Sequence, residues 1–168
     1  MKVMSRPRIH IKKTRLDYFF EGISIISLAL SFILLIYYFG KYPSSVAIHY
    51  NAIGQADSFG SRWLLFILPT TGLITYVGMT YLNRFPHIFN YPIEVSEHNA
   101  EVLYTIGKRT ISFMKMTICL LVLYITFSQT SSMIFHRSGV NVFIILIFLL
   151  CLGAAPIYAA VKMNKARP

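Results

Sequence analysis

Residues 18–39 read YFFEGISIISLALSFILLIYYF, and this stretch decides the fold of the chain. It is 22 residues long, and Glu21 is the one charged side chain in it. A helix needs about 20 mainly apolar residues to cross roughly 30 Å of hydrocarbon, so the stretch predicts a membrane-spanning helix. Residues 63–82, 111–128 and 140–161 are similarly long and apolar. Because they are continuous apolar runs, without the two-residue alternation of a barrel strand, we expect four helices.

The overall composition supports a membrane protein. Hydrophobic residues make up 55% of the 168 residues and charged residues only 13%, whereas a soluble domain carries roughly 25% charged residues. This excludes an ordinary soluble enzyme and a disordered chain. We therefore predict an all-α polytopic membrane protein. Its four-helix transmembrane domain covers residues 18–161, between basic tails at residues 1–17 and 162–168.

The basic residues predict the orientation. They flank the apolar segments and give the chain a net charge of +10. We therefore predict that the basic residues interact with the lipid bilayer and not with nucleic acid. Twelve fall on the side that holds both termini: Lys2, Arg6, Arg8, Lys12, Lys13, Arg15, Arg84, Lys108, Arg109, Lys162, Lys165 and Arg167. Three fall on the other side: Lys41, Arg62 and Arg137. The excess predicts that both termini are cytoplasmic.

The loop before the third span has a helical pattern from Ser96 onward. Serine is a favoured N-cap, and acidic residues follow it at Glu97 and Glu101, where the helix dipole favours negative charge. We expect one helix over residues 96–128 that runs from the membrane surface into the third span. The polar residues between Thr126 and Ser132 are expected to end it.

Two charged side chains fall inside the predicted spans. Glu21 lies about one turn into the first span and Lys115 about one turn into the third, both near the cytoplasmic face. They can form an intramembrane pair or a proton site. Alternatively, each side chain reaches back to the lipid headgroups, because both positions are shallow.

The first outer loop, residues 40–62, is the most informative polar stretch. His49, Asn51 and Asp57 lie within nine residues, and Asn51 and Gly54 bracket a predicted tight turn. The three polar side chains can ligate a metal, recognise a ligand, or hydrogen-bond the loop into one shape. No serine or cysteine nucleophile has a suitable spacing from His49 and Asp57. We therefore predict no enzyme, no cofactor and no metal, and expect His49 and Asp57 to order the loop.

This loop, YPSSVAIHYNAIGQADSFGSRW at residues 42–63, resembles a bacterial membrane domain of unknown function, the N-terminal domain of SdpI-type immunity proteins. The matching residues are Pro43, His49, Tyr50, Asn51, Gly54, Asp57, Gly60, Ser61 and Arg62. Ala47 departs from the pattern, which usually has a second proline there. The resemblance implies a stand-alone, multi-pass four-span member in the bacterial inner membrane, which gives recognition, signalling or immunity to a membrane-active peptide through this loop. The alternative is an accessory subunit of a membrane complex, with a membrane protein as its partner through the long third helix.

Overall fold

A computed structural model describes residues 6–135 and 139–166. Lys2, Arg137 and Arg167, which enter the charge argument, lie outside these residues. The described part contains four long α-helices: α1 (Arg15–Tyr38), α2 (Ile67–Leu82), α3 (Ala100–Phe135) and α4 (Val142–Asn164). A 3₁₀ turn at Arg62–Phe66 leads into α2. With that turn included, all four helices are long and apolar enough to cross a membrane, so the all-α polytopic fold is confirmed.

The helix starts are set by side-chain caps. α1 begins at Arg15, earlier than predicted, because Thr14 and Asp17 form a capping box. The Thr14 N–H donates to Asp17 Oδ2 at 2.7 Å, and the Asp17 N–H donates to Thr14 Oγ1 at 3.4 Å. α4 begins after Asn141, whose Oδ1 accepts from the Phe143 N–H at 3.0 Å. Each cap satisfies a backbone donor that the helix itself leaves unpaired.

α3 differs from its prediction at both ends. It begins at Ala100, four residues after the predicted N-cap Ser96, whose N–H donates to Asn99 Oδ1 at 2.9 Å and whose carbonyl accepts from the Ala100 N–H at 3.0 Å. The expected stop between Thr126 and Ser132 is wrong, because these residues are helical and mostly buried and the helix continues to Phe135, the last described residue before the gap at 136–138. Its 36 residues make it about 54 Å long at 1.5 Å per residue, well beyond the hydrocarbon thickness.

Helices α1 and α3 run parallel to each other. Near the start of α1, Phe20 contacts Phe113 with ring centroids 5.8 Å apart, and at its end Tyr38 contacts Phe135 at 5.9 Å. α3 packs against α1, α2 and α4 and is therefore the central helix. We call the side with the first residues of α1 the termini end of the bundle, and the opposite side the hairpin end.

The interior of the bundle is more polar than its surface. Ser24, Ser27 and Ser31 of α1 are fully buried, and large apolar side chains such as Ile26 and Ile36 are exposed. Ser24 Oγ donates to the Phe20 carbonyl at 2.7 Å, and Ser31 Oγ donates to the Ser27 carbonyl at 2.9 Å. In lipid, small side chains let helices approach closely while apolar ones face the acyl chains. The three serines therefore allow α1 to pack closely against α3.

Apolar clusters fix the two ends and the middle of the bundle. Leu28, Cys119 and Val122 pack together at mid-depth, where a Cβ on Gly72 of α2 would lie 3.0 Å from Val122. The larger cluster at the termini end comprises Tyr91, Val95, Ala100, Leu103, Tyr104, Ala159 and Met163. The cluster at the hairpin end comprises Leu35, Tyr42, Val46 and Leu65. All three involve residues from segments that are far apart in the chain.

The first loop forms an antiparallel hairpin, which the sequence did not predict. Strand β1 (Ser45–Tyr50) pairs with β2 (Ala56–Ser61), with Ser45 opposite Ser61 and Tyr50 opposite Ala56. The register is irregular between Ala47 and Tyr50. The hairpin is the one sheet among the described residues.

Candidate functional site

The tip of the hairpin is shaped by Asn51 and Gly54. Asn51 Oδ1 accepts hydrogen bonds from the Ile53 N–H at 3.1 Å and the Gln55 N–H at 3.0 Å. Gly54 adopts φ +81°, a left-handed conformation that glycine adopts without steric cost. The Asn51 side chain thus accepts two hydrogen bonds from backbone N–H groups of the turn, and Gly54 supplies the left-handed conformation that the turn needs.

The base of the hairpin is fixed to the helices. Val46 and Ala47 are buried against the cluster at the hairpin end. The Arg62 guanidinium donates to the carbonyls of Phe39 at 3.4 Å and Tyr42 at 3.3 Å, and it lies 4.8 Å from the Phe39 ring centroid. Arg62 therefore ties the end of β2 to the end of α1.

Pro43 and Gly60 complete the motif. Pro43 is exposed just before β1. At Gly60, a Cβ would come within 3.0 Å of side-chain atoms of Leu64 and Ile48, so glycine permits close packing there.

His49 and Asp57 contact each other across the hairpin. His49 Nδ1 lies 2.5 Å from Asp57 Oδ1, and their side chains are 68% and 41% exposed. A pair this exposed contributes at most about 1 kcal/mol. The Asn51 turn and the buried base of the hairpin therefore hold its shape more than this pair does. Within residues 6–135 and 139–166, no three His, Cys, Asp or Glu side chains are grouped so that they could hold a metal ion.

The hairpin and its end expose large apolar side chains. Ile53 at the tip is 73% exposed, Phe59 on β2 is 62% exposed and Trp63 is 66% exposed. On the opposite side, Tyr50 packs against the start of the α4 segment, where a Cβ on Gly139 would lie 3.2 Å from its ring. Burial raises the pKa of the Tyr50 hydroxyl above its usual value, so the ring stays neutral. The hairpin is thus a supported element with an apolar exposed side.

A second group of polar residues lies inside the bundle, towards the termini end. Lys115 Nζ of α3 donates to Glu21 Oε2 of α1 at 2.7 Å and to Thr80 Oγ1 of α2 at 2.8 Å. The Tyr76 hydroxyl donates to the same carboxylate, and Lys115 Nζ lies 4.6 Å from the Tyr76 ring centroid. The Lys115 side chain is only 2% exposed. Glu21 and Lys115 therefore satisfy each other across three helices rather than reaching separately to the headgroups.

The sequence analysis did not single out Tyr76 and Thr80. They are four residues apart, so they lie one above the other on one face of α2. The sequence signal that could have identified them is the presence of two polar side chains four residues apart inside an apolar span. A cavity of about 650 Å³ connects this group with the residues of the termini end.

Comparisons with known proteins point to the hairpin. Residues 26–73 match the family model of a domain of unknown function, DUF1648. The DUF1648 segment extends from the middle of α1 through the hairpin into α2. It contains every loop-motif residue from Pro43 to Arg62, and it excludes Glu21 and Lys115.

One curated relative is an uncharacterized protein of Archaeoglobus fulgidus. It is 32% identical over 78 residues, which is 42% of this chain and 43% of the relative. The match therefore spans less than half of either protein. No solved structure matches the chain. The chain is thus a multi-pass membrane protein with a segment that is similar to a domain of unknown function.

Proposed function

We propose that this protein is a non-enzymatic recognition protein of the bacterial inner membrane that binds a membrane-active peptide through its hairpin. In this proposal both termini are cytoplasmic and the hairpin faces outward. The proposal rests on the structure of the hairpin, which is fixed at its base by Arg62 and exposes Ile53, Phe59 and Trp63. Exposed apolar side chains on a fixed element outside the bilayer are typical of an interaction surface.

The chemistry of the hairpin suits an amphipathic peptide. A two-stranded sheet has open edges, and an extended peptide can add to such an edge through its backbone while apolar side chains supply affinity. Trp63 and Phe59 bring this surface to the membrane interface, where aromatic rings are favoured. A peptide that approaches the membrane would meet the hairpin there.

The family match supports this assignment, because the DUF1648 segment is centred on the hairpin. The expected resemblance of the motif from Pro43 to Arg62 to the N-terminal domain of SdpI-type immunity proteins motivates the choice of ligand. By that resemblance, we propose that binding at the hairpin protects the membrane against a toxin peptide. His49 and Asp57, which are exposed on the same element, would then contact the peptide rather than hold the fold.

The test is the survival of cells that express the protein when the sporulation-delaying toxin peptide is added. We expect cells with the wild-type protein to survive a concentration of the peptide that kills cells without it. The Ile53→Ser/Phe59→Ser variant should lose this protection at equal membrane abundance. Ser58→Ala, on the same exposed strand, is the matched control and should retain it. Equal survival with both variants would refute recognition by the hairpin.

An accessory subunit is the second candidate. α3 packs against the three other helices, whereas α4 exposes large apolar side chains along its length, with Phe143, Leu150 and Ile157 outward. An accessory role therefore predicts a membrane protein that co-purifies with the wild type and is lost when Leu150 is replaced by Trp. Hairpin variants would leave that association unchanged.

A further inference from the structure

The chain before α1 is bound across the termini end of the bundle. We call residues 6–13 the strap; it has no regular secondary structure. The Arg6 guanidinium donates to the carbonyls of His87 at 3.1 Å and Phe89 at 2.6 Å. The Tyr104 hydroxyl donates to the Pro7 carbonyl at 2.9 Å. Because these contacts fix the strap, the side chains that follow along it have a defined place.

The strap forms one wall of the 650 Å³ cavity. The other walls come from α1, the end of α2 and α3. Lys108 Nζ of α3 donates to the Ile11 carbonyl at 3.1 Å and so joins the strap to the wall opposite. The closed end of the cavity is the Glu21–Lys115 group. The cavity is therefore built by four segments of the chain, and it is large enough to hold a small ligand.

The cavity lining is strongly basic. Its charged residues are the cations Lys12, Lys13, Arg84, Lys108 and Lys115 and the carboxylates Asp17 and Glu21, a formal net charge of +3 with His10 neutral. Within the described residues, Lys115 is the one cation of this set within salt-bridge distance of a carboxylate, since Asp17 is 3.9 Å from Arg109, outside the cavity. Four cations and the Asp17 carboxylate thus face one cavity beside the Glu21–Lys115 pair, and the excess of positive charge favours a bound anion.

We propose that this cavity binds a phosphate group, as carried by an anionic phospholipid headgroup or by a small phosphate in solution. Lysine is a strong point-charge ligand for phosphate, and arginine pairs with two of its oxygens. Lys12, Lys13 and Lys108 surround the phosphate, and Arg84 contacts it from the end of α2. Lys115 is held by Glu21 at the closed end and contributes positive potential there.

The position of the cavity fits a lipid headgroup. Tyr18 lines the cavity near the start of α1, and Lys13 Nζ lies 5.7 Å from its ring centroid. Tyrosine is enriched at the level of the headgroups, so the cavity lies where the phosphates of a bilayer lie. A basic pocket between transmembrane helices at that depth is the usual setting for an anionic headgroup.

The experiment measures the melting temperature of the full chain in an uncharged detergent, with three additions. These are phosphatidylglycerol, phosphatidylcholine and inorganic pyrophosphate. The cavity variant is Lys12→Gln/Lys13→Gln, at two exposed strap positions. The matched control is Lys162→Gln/Lys165→Gln, which removes the same charge at the same end of the bundle, away from the cavity.

We expect phosphatidylglycerol to raise the melting temperature of the wild type and of the control variant, and phosphatidylcholine to leave both unchanged. The cavity variant should bind phosphatidylglycerol at least about tenfold more weakly, since each basic residue near a charged surface contributes roughly 1 kcal/mol. A response to pyrophosphate without a response to phosphatidylglycerol would identify a soluble phosphate as the source. An equal response from the cavity and control variants would show general charge attraction and overturn the site, as would no response to either anion.

Discussion

Gly54 at the hairpin tip lies directly against the backbone of Val140, just before α4. A Cβ on Gly54 would come 2.5 Å from the Val140 carbonyl oxygen, a distance that no side-chain adjustment can relieve. The turn at the hairpin tip and the segment before α4 are therefore in backbone contact, and only glycine fits at position 54. This contact couples the hairpin to α4 as well as to α1 and α2.

Replacing Gly54 with alanine should loosen the hairpin. The change combines the clash with Val140 and a φ of +81°, which together cost about 1–3 kcal/mol. Limited proteolysis of the detergent-solubilised protein should cut the hairpin faster in the variant than in the wild type. Gly40→Ala is the control, because a Cβ there meets nothing within 4 Å. Equal cleavage of both variants would contradict the contact.

The Glu21–Lys115 pair predicts a characteristic double-mutant cycle. Glu21→Gln leaves the Lys115 ammonium almost fully buried without its counter-charge, so it should destabilise the protein by about 3 kcal/mol. Glu21→Gln/Lys115→Met removes both charges and should recover much of that loss. Thermal unfolding in detergent measures the cycle, with the exposed Glu97→Gln as control. If the double variant were as unstable as the sum of the single ones, the two side chains would not be coupled.

Gly72 predicts a steric limit between α2 and its neighbours. A Cβ there would lie 3.0 Å from Val122 and 3.2 Å from Leu28, so Gly72→Leu must push α2 away from α1 and α3. We expect a loss of about 1–3 kcal/mol in unfolding free energy, read as a lower melting temperature. Gly78→Leu, on the same helix with open space at its Cβ, should be tolerated. A melting temperature for Gly72→Leu that matched Gly78→Leu would argue against the close approach.

The orientation can be read by labelling introduced cysteines in intact cells. A membrane-impermeant maleimide should modify a cysteine at Ser58 on the exposed strand β2 and spare one at Glu97 before α3. The native Cys119 and Cys151 lie within membrane helices, so a reagent that does not enter the membrane should leave them unlabelled. The bias of twelve basic residues to three motivates this expectation. The reverse labelling pattern would place the termini outside.

The sequence predicts the four helices because a bilayer demands long apolar runs, and residues 18–39 meet that demand without any tertiary information. Tertiary contacts decide where the helices end. The polar run around Thr130 is expected to stop α3, yet Thr130 Oγ1 bonds to the Tyr42 hydroxyl at 2.8 Å and the helix continues. The structure supplies the partner that makes the polar residue compatible with buried helix.

The hairpin is harder to predict for a different reason. β1 has buried Val46 and Ala47 next to each other, and β2 is almost wholly exposed, so neither strand shows clean alternation. The turn at Asn51 and Gly54 is readable, because its chemistry is local. The cavity at the termini end is not, since it depends on the strap meeting α3 nearly a hundred positions along the chain. Charge counts place the cations on one side of the membrane but do not bring them together.

The strap also constrains the order of assembly. Pro7 and Ile11 are bound by Tyr104 and Lys108, each 97 positions further along the chain. During synthesis these residues are made before their partners, which exist only after two spans have been made and the third has begun. The strap therefore cannot close until α3 is present, and its closure reports that the first three helices have come together.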